Sequence, residues 1–205
     1  MMNKRNIFST LALLIFAYGV QAQSSSTYPN KPVKLVVGFA PGGAADHVAR
    51  TMSEAFGRAL GATVVVENRA GAGSSIAAEI VSKAPADGYS ILIASPSSIS
   101  VNPALNPKLG YSPKDLMPVT KITTSPLVIA VNPNIGINTV QDLIARAKKE
   151  PGRINYATSG NGSAPHLGGA LFTQLANVEL THIPFRGGGP AIQSLIAGDT
   201  QVTFG

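Results

Sequence analysis

The sequence predicts an α/β fold with largely parallel sheets flanked by helices. Three observations support this. Short apolar runs of strand length alternate with segments whose apolar residues recur at helical spacing. The connections between them are short, as in chains where a helix carries one parallel strand to the next. Four of the apolar runs end in a small, glycine-rich loop placed just before a helical pattern. These loops are FAPGG (Phe39 to Gly43), NRAGAGS (Asn68 to Ser74), SGNGS (Ser159 to Ser163) and FRGGG (Phe185 to Gly189). Each places backbone N–H groups at a helix start, where the peptide dipoles favour an anion.

Met1 to Asn6 carries Lys4 and Arg5, Ile7 to Val20 is almost wholly apolar, and Val20-Gln21-Ala22 supplies small residues for cleavage. Residues 1–22 therefore read as a secretory signal peptide, too short and wrongly flanked for a membrane anchor. With a bacterial-type signal and no Cys for a lipid anchor, the periplasm is the expected address. Without Lys4 and Arg5 the chain holds 14 basic and 10 acidic side chains, a net charge of about +4. The basic residues are scattered and aromatics are not interleaved with them, which argues against a nucleic-acid surface.

Each element follows in turn. Val33 to Gly38 reads as a buried parallel strand. Val48, Met52, Ala55, Phe56, Ala59 and Leu60 mark one helix face, stopped at Gly61. Thr63 to Val66 is the next strand. Ile76, Ala77, Ile80 and Val81 give a second helix. Ser90 to Ala94 is a third strand, opening into the polar loop Ser95-Pro96-Ser97-Ser98. Asn102 to Pro118 has little periodicity. Val119 to Thr123 and Leu127 to Val131 read as extended runs crossing between lobes. Thr139 with Asp142 forms a capping-box-like start to a helix whose face is Val140, Leu143, Ile144 and Ala147. Asn155 to Thr158 is a strand. Leu167, Leu171, Phe172 and Leu175 form the next helix face. Leu180 to Ile183 is a strand, and Ile192, Leu195 and Ile196 form another helix face. Gln201 to Gly205 reads as a strand just starting to leave the sheet with nothing to cover it, as expected of a fragment. The organisation is thus residues 1–22 as signal, 23–122 as a first lobe and 123–205 as an incomplete second lobe.

The loops point to anion binding at the carboxyl ends of the strands. In FAPGG, Pro41 fixes one dihedral while Gly42 and Gly43 permit close approach. The loop is either a ligand cradle or a tight strand-to-helix turn. Asp46, in the first turn of the helix, can cap N–H groups or complement the dipole. SGNGS offers the hydroxyls of Ser159 and Ser163, the amide of Asn161 and free backbone at Gly160 and Gly162. Ser163 is also a natural N-cap. His166 either donates to a carboxylate or is a buried side chain satisfied by backbone. In FRGGG the backbone at Gly187 and Gly188 is favoured for binding. The Arg186 guanidinium can form a bidentate clamp on a carboxylate, but a surface ion pair or solvent-facing arm is the favoured reading, and Arg69 has Glu67 and Asn68 as structural partners. Catalysis has little support. There is no Cys, His47, His166 and His182 lack metal-ligand spacing, and no nucleophile elbow, Walker loop or complete dinucleotide fingerprint appears.

Six stretches, YPNKPVKLVVGFAPGGAADHVAR, VVVENRAGAGSSIAAEIV, ADGYSILIAS, NPALNPKLGYSPKDLMPV, INYATSGNGSAPHLGGALF and HIPFRGGGPAIQSLIAGDTQVTF, run in order from Tyr28 to the end. They resemble the periplasmic solute-binding receptors of tripartite tricarboxylate transporters, the Bug family. The resemblance implies a periplasmic-binding-protein-like, two-lobed (Venus flytrap) fold with a second lobe left incomplete here. It implies a carboxylated ligand delivered to integral-membrane permease subunits by a monomeric receptor, without cofactor or metal. Carried onto this chain, the first-lobe contacts are Ala40, Pro41, Gly42 and Gly43, with Asp46 near the site and Ser95 and Ser97 as weaker candidates. The second-lobe contacts are Ser159, Gly160, Asn161, Gly162, Ser163 and His166, with Gly187 and Gly188 behind. Phe185 stands where a Tyr is common, and Gly205 stands where an Asp associated with amino-bearing ligands is frequent. The rival readings are a secreted α/β enzyme acting on an anionic substrate, with His166 as its acid or base, and a sensor presenting its ligand to a membrane kinase.

Overall fold

The computed structural model describes residues 27–205. The signal-peptide reading therefore lies outside the described residues. The chain divides into two units, Met1–Asn30 and Lys31–Gly205. Of the first, residues 27–30 are irregular and include a cis Tyr28–Pro29 peptide bond. Everything below concerns the second.

The second unit holds two sheets. Strand β1 (Val33–Val37) leads through a turn to helix α1 (Ala44–Leu60), then to β2 (Val64–Asn68), α2 (Ser75–Ser82) and β3 (Ser90–Ile93). These strands form a three-stranded, all-parallel sheet in the order β2-β1-β3, with Val33 facing Val64 and Lys34 facing Ser90. Central β1 is hidden on both faces, so its run of Val and Leu can be nearly continuous. Leu35 and Val37 pack with Ala49 and Ile93, bordered by Ala45, Met52 and Phe56 of α1. Each such fully buried aliphatic side chain contributes roughly 1.5–3 kcal/mol.

After β3 the chain makes a π-helical turn, Ser97–Val101, and runs directly into the short helix α3 (Asn102–Leu105). The polar loop expected at residues 95–98 is thus largely helical. Pro96 starts it, in helical conformation, at a point where its missing N–H costs nothing. The Ser98 hydroxyl bonds back to Ser95 O. Of the two extended runs expected before residue 132, only Ile129–Val131 forms a strand, β4.

The second sheet is built from β4, β5 (Asn155–Thr158), β6 (Thr181–Pro184) and β7 (Val202–Phe204), in the order β4-β7-β5-β6. Helices α4 (Val140–Lys149), α5 (Ala164–Ala176) and α6 (Gly188–Ala197) alternate with its strands. All its pairings are parallel except β4 with β7. Strand β7 does not leave the sheet. It lies between β4 and β5, with Val202, Thr203 and Phe204 all buried. Phe204 meets the Tyr156 ring edge-on and also touches Phe172. Leu143, Ala147 and Ile154 complete this core. The expected capping box at α4 is present. Thr139 Oγ1 accepts from Asp142 N–H, and the Asp142 carboxylate accepts from Thr139 N–H.

Candidate functional site

The loops that follow β1, β2, β5 and β6 all start at the carboxyl ends of parallel strands, and they converge at the boundary between the two sheets. Gly38 ends β1 where nothing larger fits. A Cβ there would lie 1.9 Å from Ser74 Oγ and 2.7 Å from Ser74 Cα. Close approach of the first two loops thus depends on a missing side chain.

The first loop is held by Asp46 rather than by the ligand-facing backbone. Its carboxylate, almost fully buried, accepts from Gly42 N–H (3.0 Å), Asn68 Nδ2 (2.8 Å) and Arg50 Nε (3.0 Å). Asn68 also donates to Phe39 O and accepts from Arg50. The Arg50 hydrogen bond outweighs the cost of burial and, with the bonds from Gly42 and Asn68, lowers the Asp46 pKa from 3.8 to about 2. Asp46 therefore stays ionised and frames the turn.

The second loop turns through left-handed backbone at Ala72, Gly73 and Ser74. Its conformation is secured by Asn102 at the start of α3, whose Nδ2 donates to Ala72 O, Gly73 O and Ser75 Oγ. The same side chain touches the opposite lobe. A Cβ on Gly162 would fall 2.0 Å from Asn102 Oδ1. Asn102 lies in a stretch without periodicity and carries no signal of this role in the sequence.

In the third loop, Gly160 N–H donates to Thr158 Oγ1 and Gly162 N–H to His166 Nδ1. Ser163, fully buried, caps α5 by accepting from His166 N–H. His166 stacks on His182 with ring centres 4.3 Å apart, and His182 stacks in turn on Tyr156. Thr158 Oγ1 lies 2.6 Å from His182 Nε2. Burial first, and neighbouring His166 second, bring His182 down from 6.5 to about 4. Asn161 stays exposed at the loop tip, and its N–H meets no protein acceptor among the described residues.

The fourth loop lies directly on the first. Ala40 N–H donates to Arg186 O (2.8 Å), and a Cβ on Gly189 would meet Pro41 O at 2.7 Å. Gly187, at φ +152°, would clash with Ala40 N if it carried a side chain. Ala40, Pro41, Gly42, Gly43, Gly187 and Gly188 therefore form a backbone seam between the lobes. Several amides expected to be free, at Ala40, Gly42, Gly160 and Gly162, are engaged within the protein.

Beside this seam lies a cavity of about 200 Å³, lined by Gly38, Phe39, Gly71, Ala72, Gly73, Ser159, Gly160, Asn161, Pro184, Phe185 and Arg186. A second, of about 260 Å³, is lined by Pro41, Gly42, Gly189, Pro190, Ile192 and Gln193. The first is the better candidate, because all four loops contribute to it and it contains hydroxyl, amide and guanidinium groups. Of the residues expected at the site, Ser159, Gly160 and Asn161 line it. Gly162, Ser163 and His166 lie outside its lining and bond within the loop that carries Ser159 to Asn161. Ser95 and Ser97 lie on the turn after β3, outside its lining, with Ser97 buried. Gly71 to Gly73 and Arg186 also line it, although the resemblance did not carry contacts onto them. The glycine pattern of NRAGAGS was a signal for the former. For Arg186 the signal was its guanidinium, which can clamp a carboxylate. Arg69 pairs with Glu67, as its neighbours suggested.

A family model described as the tripartite tricarboxylate transporter family receptor matches residues 48–204. The chain belongs to that family. Protein BugT of Bordetella pertussis is 36% identical over 200 residues, covering 96% of this chain and 61% of that protein. Among solved structures, R. palustris Rpa4515 with adipate is 34% identical with a TM-score of 0.83. MatC (Rpa3494) from Rhodopseudomonas palustris with bound malate is 31% identical with a TM-score of 0.81. Each of these structural matches covers 86% of this chain and 60% of the other. The chain thus spans about 60% of the length of the relatives it matches. The structural matches agree with a periplasmic-binding-protein-like α/β fold. Among the described residues no group of three or more His, Cys, Asp or Glu is placed to hold a metal, and no helix is long and apolar enough to cross a membrane.

Proposed function

We propose that this chain forms the ligand-gripping part of a periplasmic receptor that captures a small carboxylate between its lobes and delivers it to integral-membrane permease subunits. One observation carries the reading. The cavity at the lobe boundary is walled by four strand-end loops, and among the described residues its only ionisable lining residue is a cation. Ser159, Gly160 and Asn161 contribute the second-lobe contacts and Gly71 to Gly73 the first-lobe contacts. The Ala40–Gly43 and Gly187–Gly188 seam brings the lobes together. Asp46, Gly162, Ser163 and His166 hold these loops in shape. The carboxylates named for two structural relatives, adipate and malate, are of a size suited to so small a space.

The affinity follows from a few bonds. A hydrogen bond to a charged group contributes about 1.5–3 kcal/mol, so three or four reach micromolar binding, about −8 kcal/mol, after the cost of closure. Isothermal titration calorimetry of the purified protein against mono-, di- and tricarboxylates, aromatic acids and amino acids tests this. The reading expects micromolar binding of at least one acid and fails if none binds. His166 Nδ1 accepts from Gly162 N–H, which puts the ring proton on Nε2 and argues against His166 as a general base in that tautomer. Presentation of the solute to a membrane kinase would use the same binding chemistry.

A further inference from the structure

Arg186 is the one ionisable side chain on the wall of the cavity, and it is exposed. Its neighbours make its state unusual. The other arginines near the loops are paired: Arg50 with Asp46 and Arg69 with Glu67. Arg186 makes no ion pair or side-chain hydrogen bond among the described residues, and no Asp or Glu lines the cavity. Only its backbone is engaged, through the carbonyl that accepts from Ala40 N–H. That bond fixes the position of Cα and leaves the guanidinium free to turn. The rest of the lining divides into neutral donors at Ser159 and Asn161 and apolar surface at Phe39, Pro184 and Phe185.

We propose that Arg186 binds the second carboxylate of the ligand, so that the site selects diacids over monoacids. This rests on the carboxylate-receptor reading above and refines it. One carboxylate sits on the neutral donors of the Ser159–Asn161 loop, which carry no net charge to reward a second anion. The second meets the planar fork of Arg186, which matches a carboxylate in two parallel hydrogen bonds. A monoacid leaves that fork to water and loses the charge-assisted part of the binding.

The test compares succinate and adipate with butyrate and hexanoate by titration calorimetry, in the wild-type protein and in Arg186→Gln and Arg186→Lys. All variants keep the Arg186 carbonyl and hence its bond to Ala40, and unchanged thermal midpoints check that the fold is kept. The expected result is diacid binding by wild type that is weakened about ten- to a hundredfold in Arg186→Gln. Monoacid affinity falls by much less, so the preference for diacids collapses, and Arg186→Lys restores diacid binding in part, as a point charge without the fork. If wild type binds a diacid and Arg186→Gln binds it equally well, or loses mono- and diacid alike, the assignment is overturned while the receptor reading stands. If wild type binds no carboxylate, the receptor reading itself falls, and this assignment falls with it.

Discussion

At Asp46, donors from the first loop, from β2 and from α1 converge on one carboxylate. Removing its charge leaves Gly42 N–H and Asn68 with a weaker acceptor and Arg50 unpaired. Asp46→Asn should lower stability by about 1–2 kcal/mol, less than a fully buried pair would give because Arg50 is half exposed. Urea unfolding at neutral pH measures it. The same residue shapes the acid response. Its folded pKa of about 2 lies below the ordinary 3.8, so its contribution is present above pH 3.8 and is lost as pH falls toward 2. His182 acts in an earlier window. Its folded pKa of about 4 lies below the ordinary 6.5, so between these values the unfolded chain binds more protons and stability falls as pH drops. The urea midpoint should therefore decline between pH 6.5 and 4, and His182→Phe should flatten that part of the curve while leaving the lower window. Gly38 gives a steric counterpart. Gly38→Ala drives a methyl into Ser74 and should cost about 1–3 kcal/mol in thermal or urea unfolding. Ser74→Gly in the same chain should recover only part, because the Ser74 backbone also stands within 2.7 Å.

The elements show where periodicity is informative and where it misleads. Apart from the run at residues 119–123, the strand positions and the α4 capping box were legible, because each depends on local chemistry: apolar runs for the strands, and Thr139 with Asp142 for the cap. Thr139→Ala should cost about 1 kcal/mol, read as a lower thermal midpoint. The helix faces were only partly legible. In α1 the buried line runs through Ala45, Ala49, Met52 and Phe56, while Ala55 and Ala59 are exposed. In α2, Ala77 and Ala78 face inward, and Ile76 and Ile80, expected inside, are exposed. In α5 the contact is made by Gly168 and Gly169, against Leu127 and the Tyr156 ring, and Leu167, Leu171 and Leu175 lie outside. In α6, Ala191, Ser194 and Leu195 are buried, and Ile192 and Ile196 are exposed. The common cause is close approach of helix to sheet. Small residues permit it, whereas a pattern reading gives the greatest weight to large apolar ones. The turn after β3 was missed for a related reason: serines and a proline read as loop, yet they form a π-helical turn once Pro96 sets the first dihedral.

On the scale of the molecule, the alternation of strand and helix carried the class, and the repeat of glycine loops in each half carried the two-lobed plan. The sequence could not show the order of the second sheet. Strand β7, last in the chain, is inserted between β4 and β5, a non-local pairing with no sequence marker. Nor could it show that the first and fourth loops bond to each other, since Ala40 and Arg186 are far apart in sequence. That contact uses amides that would otherwise face a ligand and moves the candidate binding surface to the Gly71–Gly73 and Ser159–Asn161 loops. The central claim is that a carboxylate is gripped there, across the lobe boundary. The most direct measurement is a proton–nitrogen correlation NMR titration of the labelled protein with adipate. The account predicts saturable shifts concentrated at the amides of residues 71–73 and 159–161, in both lobes together. Saturable binding that leaves those amides unmoved, or that moves only one of the two loops, would contradict it.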